Sequence, residues 1–175
     1  MRKFHLMKRP LFTFFAVTIL GVSNFGQSNP DPKFIAYPAT LEKAKAKSVD
    51  FKKNPDARTF RTRLTEGLRG GVNFAGHYIV VGWGCGTGCI SGAIIDGRTG
   101  EVFWPEQFNA LGVWYGADSY VDQPVAYKKN SRLLIITGVP GEKSEDAPDR
   151  PSGVYYYEWK NNRLRQIKFV TKPTE

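Results

Sequence analysis

Cys85, Cys89 and His77 are the residues of this chain whose types and spacing could do chemistry. The cysteines stand four positions apart in GWGCGTGC (82–89), where glycine fills every second place. A disulfide needs its two Cα atoms within about 7 Å, whereas a thiolate nucleophile needs a base beside it. In one extended strand Cys85 and Cys89 would stand about 13 Å apart, at roughly 3.3 Å per residue. Strand and disulfide therefore exclude each other across 85–89. Glycine weighs for the reversal: four glycines in a strand forfeit side-chain packing, but in a turn they reach positive φ without strain. The expectation is a strand through Trp83, a loop closed by a Cys85–Cys89 disulfide, and a strand resuming near Ile90. Closing so short a loop stabilises by only about 2 kcal/mol on the chain-entropy account, so its main effect is to fix shape.

The rival chemistry is a cysteine-dependent transferase or hydrolase acting on the cell wall, with Cys89 or Cys85 as nucleophile. His77 would be its base, since the only other histidine is His5. TGCISG is similar to the Ser/Thr-x-Gly-Cys segment of L,D-transpeptidases. The chain departs from that segment at two functional positions. Thr87 stands where the family has a histidine, and Ser91 where it has an arginine. Other constellations are incomplete. A G-x-S-x-G elbow is lacking, a zinc site from His77, Cys85 and Cys89 has no fourth ligand at a recognisable spacing, and no phosphate-loop lysine follows the glycines. No metal and no cofactor is expected.

The elements that must position these residues are legible in outline. Arg2, Lys3, Lys8 and Arg9 precede an apolar run from Leu11 to Val22, followed by small or polar residues. Twelve apolar residues suit an export leader better than a membrane span. The expected leader is 1–26, cleaved between Ser23 and Ser28, with no lipobox cysteine nearby. Its four basic residues lower the formal charge from +9 to +5, weak grounds for nucleic acid and none for a membrane after cleavage. Residues 27–53 read as an extended, proline-marked lead-in with room for a short helix over 40–50. Residues 54–175 read as a single β-rich domain. Within it, Asn54-Pro55-Asp56 opens an amphipathic helix over 55–68 carrying Phe60, Leu64 and Leu68, and RGG (69–71) ends it.

From Asn73 the pattern turns to β. Hairpin signals lie at Asp96–Gly100, at Lys129–Ser131 and at Asn161-Asn162, the last a candidate type I′ turn. They predict a meandering antiparallel sheet, curled or barrel-like, with the helix packed on it. The residues NFAGHYIVVGWGCGTGC…IIDGRTGEVF (73–103) resemble the shared core of a family of small exported bacterial proteins. Its matching positions are Asn73, Gly76, His77, Trp83, Cys85, Thr87 and Cys89. That resemblance implies export and a β-rich domain, and no activity.

The expected function is thus a non-enzymatic binding domain of the periplasm or extracellular space, taking a protein or glycan ligand of the envelope. Candidate surface residues are Trp83, Thr87, His77, Trp104, Trp114 and Tyr115 around the Cys85–Cys89 loop. Thiol counting separates the two chemistries. The paired reading predicts no alkylation of the unreduced mature protein; two free thiols, one alkylating fast at neutral pH, would favour the nucleophile.

Overall fold

The computed structural model describes residues 30–113, 123–141 and 150–171. The expected leader, Trp114 and Tyr115 lie outside them. The described strands are β1 (Tyr78–Gly86), β2 (Cys89–Asp96), β3 (Val102–Phe103), β4 (Leu111–Val113), β5 (Val125–Tyr127), β6 (Leu133–Val139), β7 (Gly153–Lys160) and β8 (Arg163–Thr171), with one α-helix, α1 (Arg61–Gly70). They build an antiparallel sheet in the order β1-β2-β4-β6-β7-β8, with β3 added to β2 and β5 to β6. The mostly-β architecture with one packed helix is the expected one. The sheet is curled but not closed: the Tyr78 hydroxyl reaches Asn162 Oδ1 at 2.7 Å, and the Tyr78 and Trp159 rings meet edge-on at 5.2 Å.

Alternation along the strands creates two faces. The inner face buries Tyr78, Val80, Ile94, Leu134, Ile136 and Trp159 around Phe74. The outer face of β1 and β2 buries Ile79, Val81, Ala93 and Ile95 beneath Leu64 and Leu68 of α1. Helix and strand approach so closely that a Cβ on Gly67 would lie 2.4 Å from Val81 Cγ2. On the outer face of β6 and β7, Phe34 and Tyr37 of the lead-in cover Leu133, Ile135 and Tyr156.

Three expectations are corrected. Residues 40–50 are not helical, because the sheet's turns take their amide groups. Glu42 N–H bonds Gly76 O, Lys45 and Ala46 N–H both bond Gly97 O, and Asp50 N–H bonds Gly100 O. The helix expected over 55–68 divides into a 3₁₀ segment, Pro55–Phe60, and α1. Asn54 does not cap it, since its side-chain amide donates to Asp50 O instead. Finally, the glycine stretch is strand almost throughout: β1 runs to Gly86 and β2 starts at Cys89, leaving only Thr87 and Gly88 in the turn. The other turns fall where expected, and Asn161 and Asn162 both take positive φ, 53° and 57°, as a type I′ turn requires.

Asn73 replaces a missing neighbour of β1. Its Oδ1 accepts from Val80 N–H at 2.8 Å and its Nδ2 donates to Val80 O at 3.0 Å. Asn73→Ala strips both partners from a buried strand residue, which costs about 1–3 kcal/mol where the freed groups stay dry. Chemical denaturation checks this, with a lower midpoint and an unchanged slope expected.

Candidate functional site

The two ends of the β1–β2 hairpin hold different chemistry. At the turn end Cys85 and Cys89 form a disulfide, with Cα atoms 5.2 Å apart. That closeness, irreconcilable with one continuous strand, follows from their lying on opposite arms of a hairpin. A bulge between Gly84 and Gly86 brings them face to face. Gly86 and Gly88 take φ of 144° and 65°, values that favour glycine.

Gly82 and Gly84 are glycines of another kind. Gly82 stands opposite Gly92 in the ladder and Gly84 opposite Ile90. By parity with Tyr78 and Val80 they belong to the inner face. Neither has a positive φ. Among the described residues, a Cβ on Gly84 would meet nothing within 4 Å, and one on Gly82 only ordinary contacts, with Ile90 at 3.6 Å and Ser91 O at 3.9 Å. Neither backbone conformation nor crowding excludes a side chain there. Their effect is to leave the inner face bare beside a cavity of about 550 Å³, lined also by Ile90, Phe108, Val125 and Tyr127. On the opposite face of the same strand end, Trp83 stacks on Phe60 at 4.5 Å, and Trp104 stands edge-on to Trp83 at 6.2 Å with 42 % of its surface exposed.

His77 lies at the far end of β1. Eight residues separate it from Cys85, roughly 26 Å of strand, so the structure does not bring the imidazole to either sulfur. A Cys–His pair is not assembled, and both sulfurs are bonded to each other. His77 is instead set among Glu42, Asp96 and Arg98. Its Nδ1 is 3.3 Å from Glu42 Oε1 and its Nε2, buried without a hydrogen bond, is 3.9 Å from Asp96 Oδ2. Burial pushes the imidazole below its ordinary value of 6.5, and the Arg98 charge adds to this; Asp96 and Glu42 pull the other way and are outweighed. Burial also pushes the Asp96 carboxyl up, but hydrogen bonds from Arg98 prevail and hold it below the usual carboxylate value.

Of the sequence-derived candidates, Cys89 and Trp83 border the cavity, the Trp83 ring stacking on Phe60 on the opposite face, Thr87 sits exposed at the hairpin tip, and Trp104 belongs to the aromatic cluster outside it. Phe108, Val125 and Tyr127 were not among them, and no local pattern marks them: they reach the cavity only through the curl of the sheet. The bare glycine face was not expected either: glycine weighed for a reversal over the stretch, whereas β1 continues through Gly82 and Gly84 and alternation places both on one side. Among the described residues no group of three or more His, Cys, Asp or Glu is placed to hold a metal ion. No described helix is long and apolar enough to cross a membrane. No family model, curated protein or solved structure matches the chain.

Because the folded imidazole titrates below the unfolded one, the unfolded chain takes up the proton first on acidification. Stability from His77 is therefore full above about pH 6.5 and is lost as pH falls from there through the lowered folded value. Unfolding free energies measured from pH 7.5 to 5.5 should fall more steeply for the parent protein than for His77→Gln.

Proposed function

We propose that this chain is an exported, non-enzymatic binding domain whose ligand site is the glycine-faced cavity at the disulfide end of the β1–β2 hairpin. The observation that carries the reading is the pair Gly82 and Gly84. A strand glycine costs roughly 0.5–1 kcal/mol relative to a residue with a side chain, and at these two positions neither a positive φ nor a close contact with the described residues demands it. Such a glycine marks a bulge, a tight bend or a place where a ligand or another backbone comes close; the bulge after Gly84 does not account for Gly82, and the last of these fits both. The remaining described walls suit the purpose: apolar and aromatic side chains, with Ser91 and Gln123 as polar contributors and no charged residue among the described residues.

The disulfide holds the hairpin in shape before any ligand arrives, which lowers the ordering cost of binding. A cysteine pair of this kind persists in an oxidising compartment, in keeping with the basic-then-apolar N-terminus and with the resemblance of 73–103 to a family of small exported bacterial proteins. The cysteine-enzyme alternative would need a reduced pair and a base other than His77.

A neutral apolar dye such as Nile red tests the site without knowledge of the natural ligand. Gly84→Val places a side chain into open space on an unstrained backbone and should leave the fold at least as stable. It should also weaken dye binding by about tenfold or more, the equivalent of at least 1.4 kcal/mol. Equal dye affinity in both proteins would overturn the assignment.

A further inference from the structure

The free side of β1 does more than wall the cavity. His77 O accepts from Gly97 N–H at 2.8 Å, so the odd-numbered residues of β1 turn their backbone groups toward β2. In an antiparallel ladder the even-numbered residues then aim both N–H and C=O the other way. At Tyr78 these groups bond Phe74, at 2.9 and 3.0 Å. At Val80 they bond the Asn73 side chain. At Gly82 and Gly84, both exposed, no partner stands on that side among the described residues.

Residues 73–76 also bond the β5–β6 connection on their other flank. Ala75 N–H reaches Ser131 O at 3.2 Å and Gly76 N–H reaches Lys129 O at 2.7 Å. They thus bridge β1 to the β5–β6 hairpin at one end, and the cavity lies further along, between Gly82–Gly84 and Val125. We propose that Gly82–Gly84 is a strand-addition site: an extended peptide segment of a partner protein pairs along the free edge of β1, in line with residues 73–74. This rests on the cavity being the binding site and names its occupant. The peptide's backbone takes the four open hydrogen-bonding groups, and one bulky apolar or aromatic side chain fills the space above Gly82 and Gly84.

The two outer edges of the sheet differ in the way this requires. β8 carries Arg163, Arg165 and Lys168, charges that discourage strand pairing. Beyond Val80, β1 carries none. A second copy of the chain is the poorer occupant. Antiparallel self-pairing centred on Trp83 would set Gly82 against the other copy's Gly84 and leave both cavities unfilled.

The test uses decapeptides of alternating Thr and an apolar residue, with Val, Ile, Phe or Tyr at the central inward position. Amide exchange at Gly82 and Gly84 is followed by NMR, with Nile red displacement in parallel. An aromatic-bearing peptide should slow exchange at both glycines by about tenfold or more when saturating. N-methylation of the peptide residues whose N–H groups face β1 should abolish binding, while methylation one residue out of phase should leave affinity within about threefold. Gly84→Val should lose the peptide and the dye together. Dye displacement that ignores the phase of N-methylation overturns strand pairing and leaves the cavity assignment standing. Dye binding without any glycine protection across the panel does the same. Absence of both dye and peptide binding overturns both. Glycine amides already protected in the free protein, whether independently of concentration or rising with it, mean that the chain itself or a second copy holds the edge, and the partner peptide falls.

Discussion

The register of β1 on β2, Tyr78 opposite Asp96 through Gly84 opposite Ile90, is the constraint on which the other features depend. Side chains alternate with a period of two, so one register assigns every residue of both strands to a face. It turns Ile79 and Val81 to α1, Tyr78 and Val80 to the interior, and Gly82 and Gly84 to the cavity. A slip by one residue would push Val81 into the interior and present glycine to the helix. The close seat of Gly67 on Val81 and the disulfide at the turn resist that slip from two directions.

Along the hairpin, packing among the described residues thins from the His77 end to the turn. At the His77 end, residues 73–76 fold back so that Phe74 fills the interior, and backbone meets backbone at Gly76, where a Cβ would lie 2.3 Å from Thr40 O. At the turn end the interior side chains stop. What remains is held from outside, by the Phe60–Trp83 stack and by the covalent link between Cys85 and Cys89. The result, among the described residues, is a frame around an open cavity, an arrangement that costs stability in the glycines and recovers part of it through a short loop closure of about 2 kcal/mol.

His77 belongs to the packed end. Its ring lies 4.1 Å from that of Tyr78, and its imidazole joins Glu42 of the lead-in to Asp96 and Arg98 of the β2–β3 turn. The segments 73–78 and 94–100, separated in sequence by the glycine stretch, therefore meet in one place. Their shared role is to bind lead-in, β1 and the β2–β3 turn together, while 83–89 shapes the other end.

Local patterns determined much of this protein by themselves. The β-rich composition after Asn73, the turns at Asp96–Gly100, Lys129–Ser131 and Asn161-Asn162, and the helix carrying Leu64 and Leu68 are short-range signals, and they were legible for that reason. The cysteine spacing likewise pointed to a pinned reversal. Only the tertiary structure decided that the glycine stretch is both turn and strand, because the choice between packing loss and an intended bare face depends on what stands opposite. It also decided where His77 lies relative to the sulfurs, and that residues 40–50 are not helical, since carbonyls of Gly76, Gly97 and Gly100 claim amides of Glu42, Lys45, Ala46 and Asp50. The cavity had the same origin: Phe108 and Tyr127 reach Gly82 only when the sheet curls, and curl is a property of many strands packed together, which no window of sequence contains.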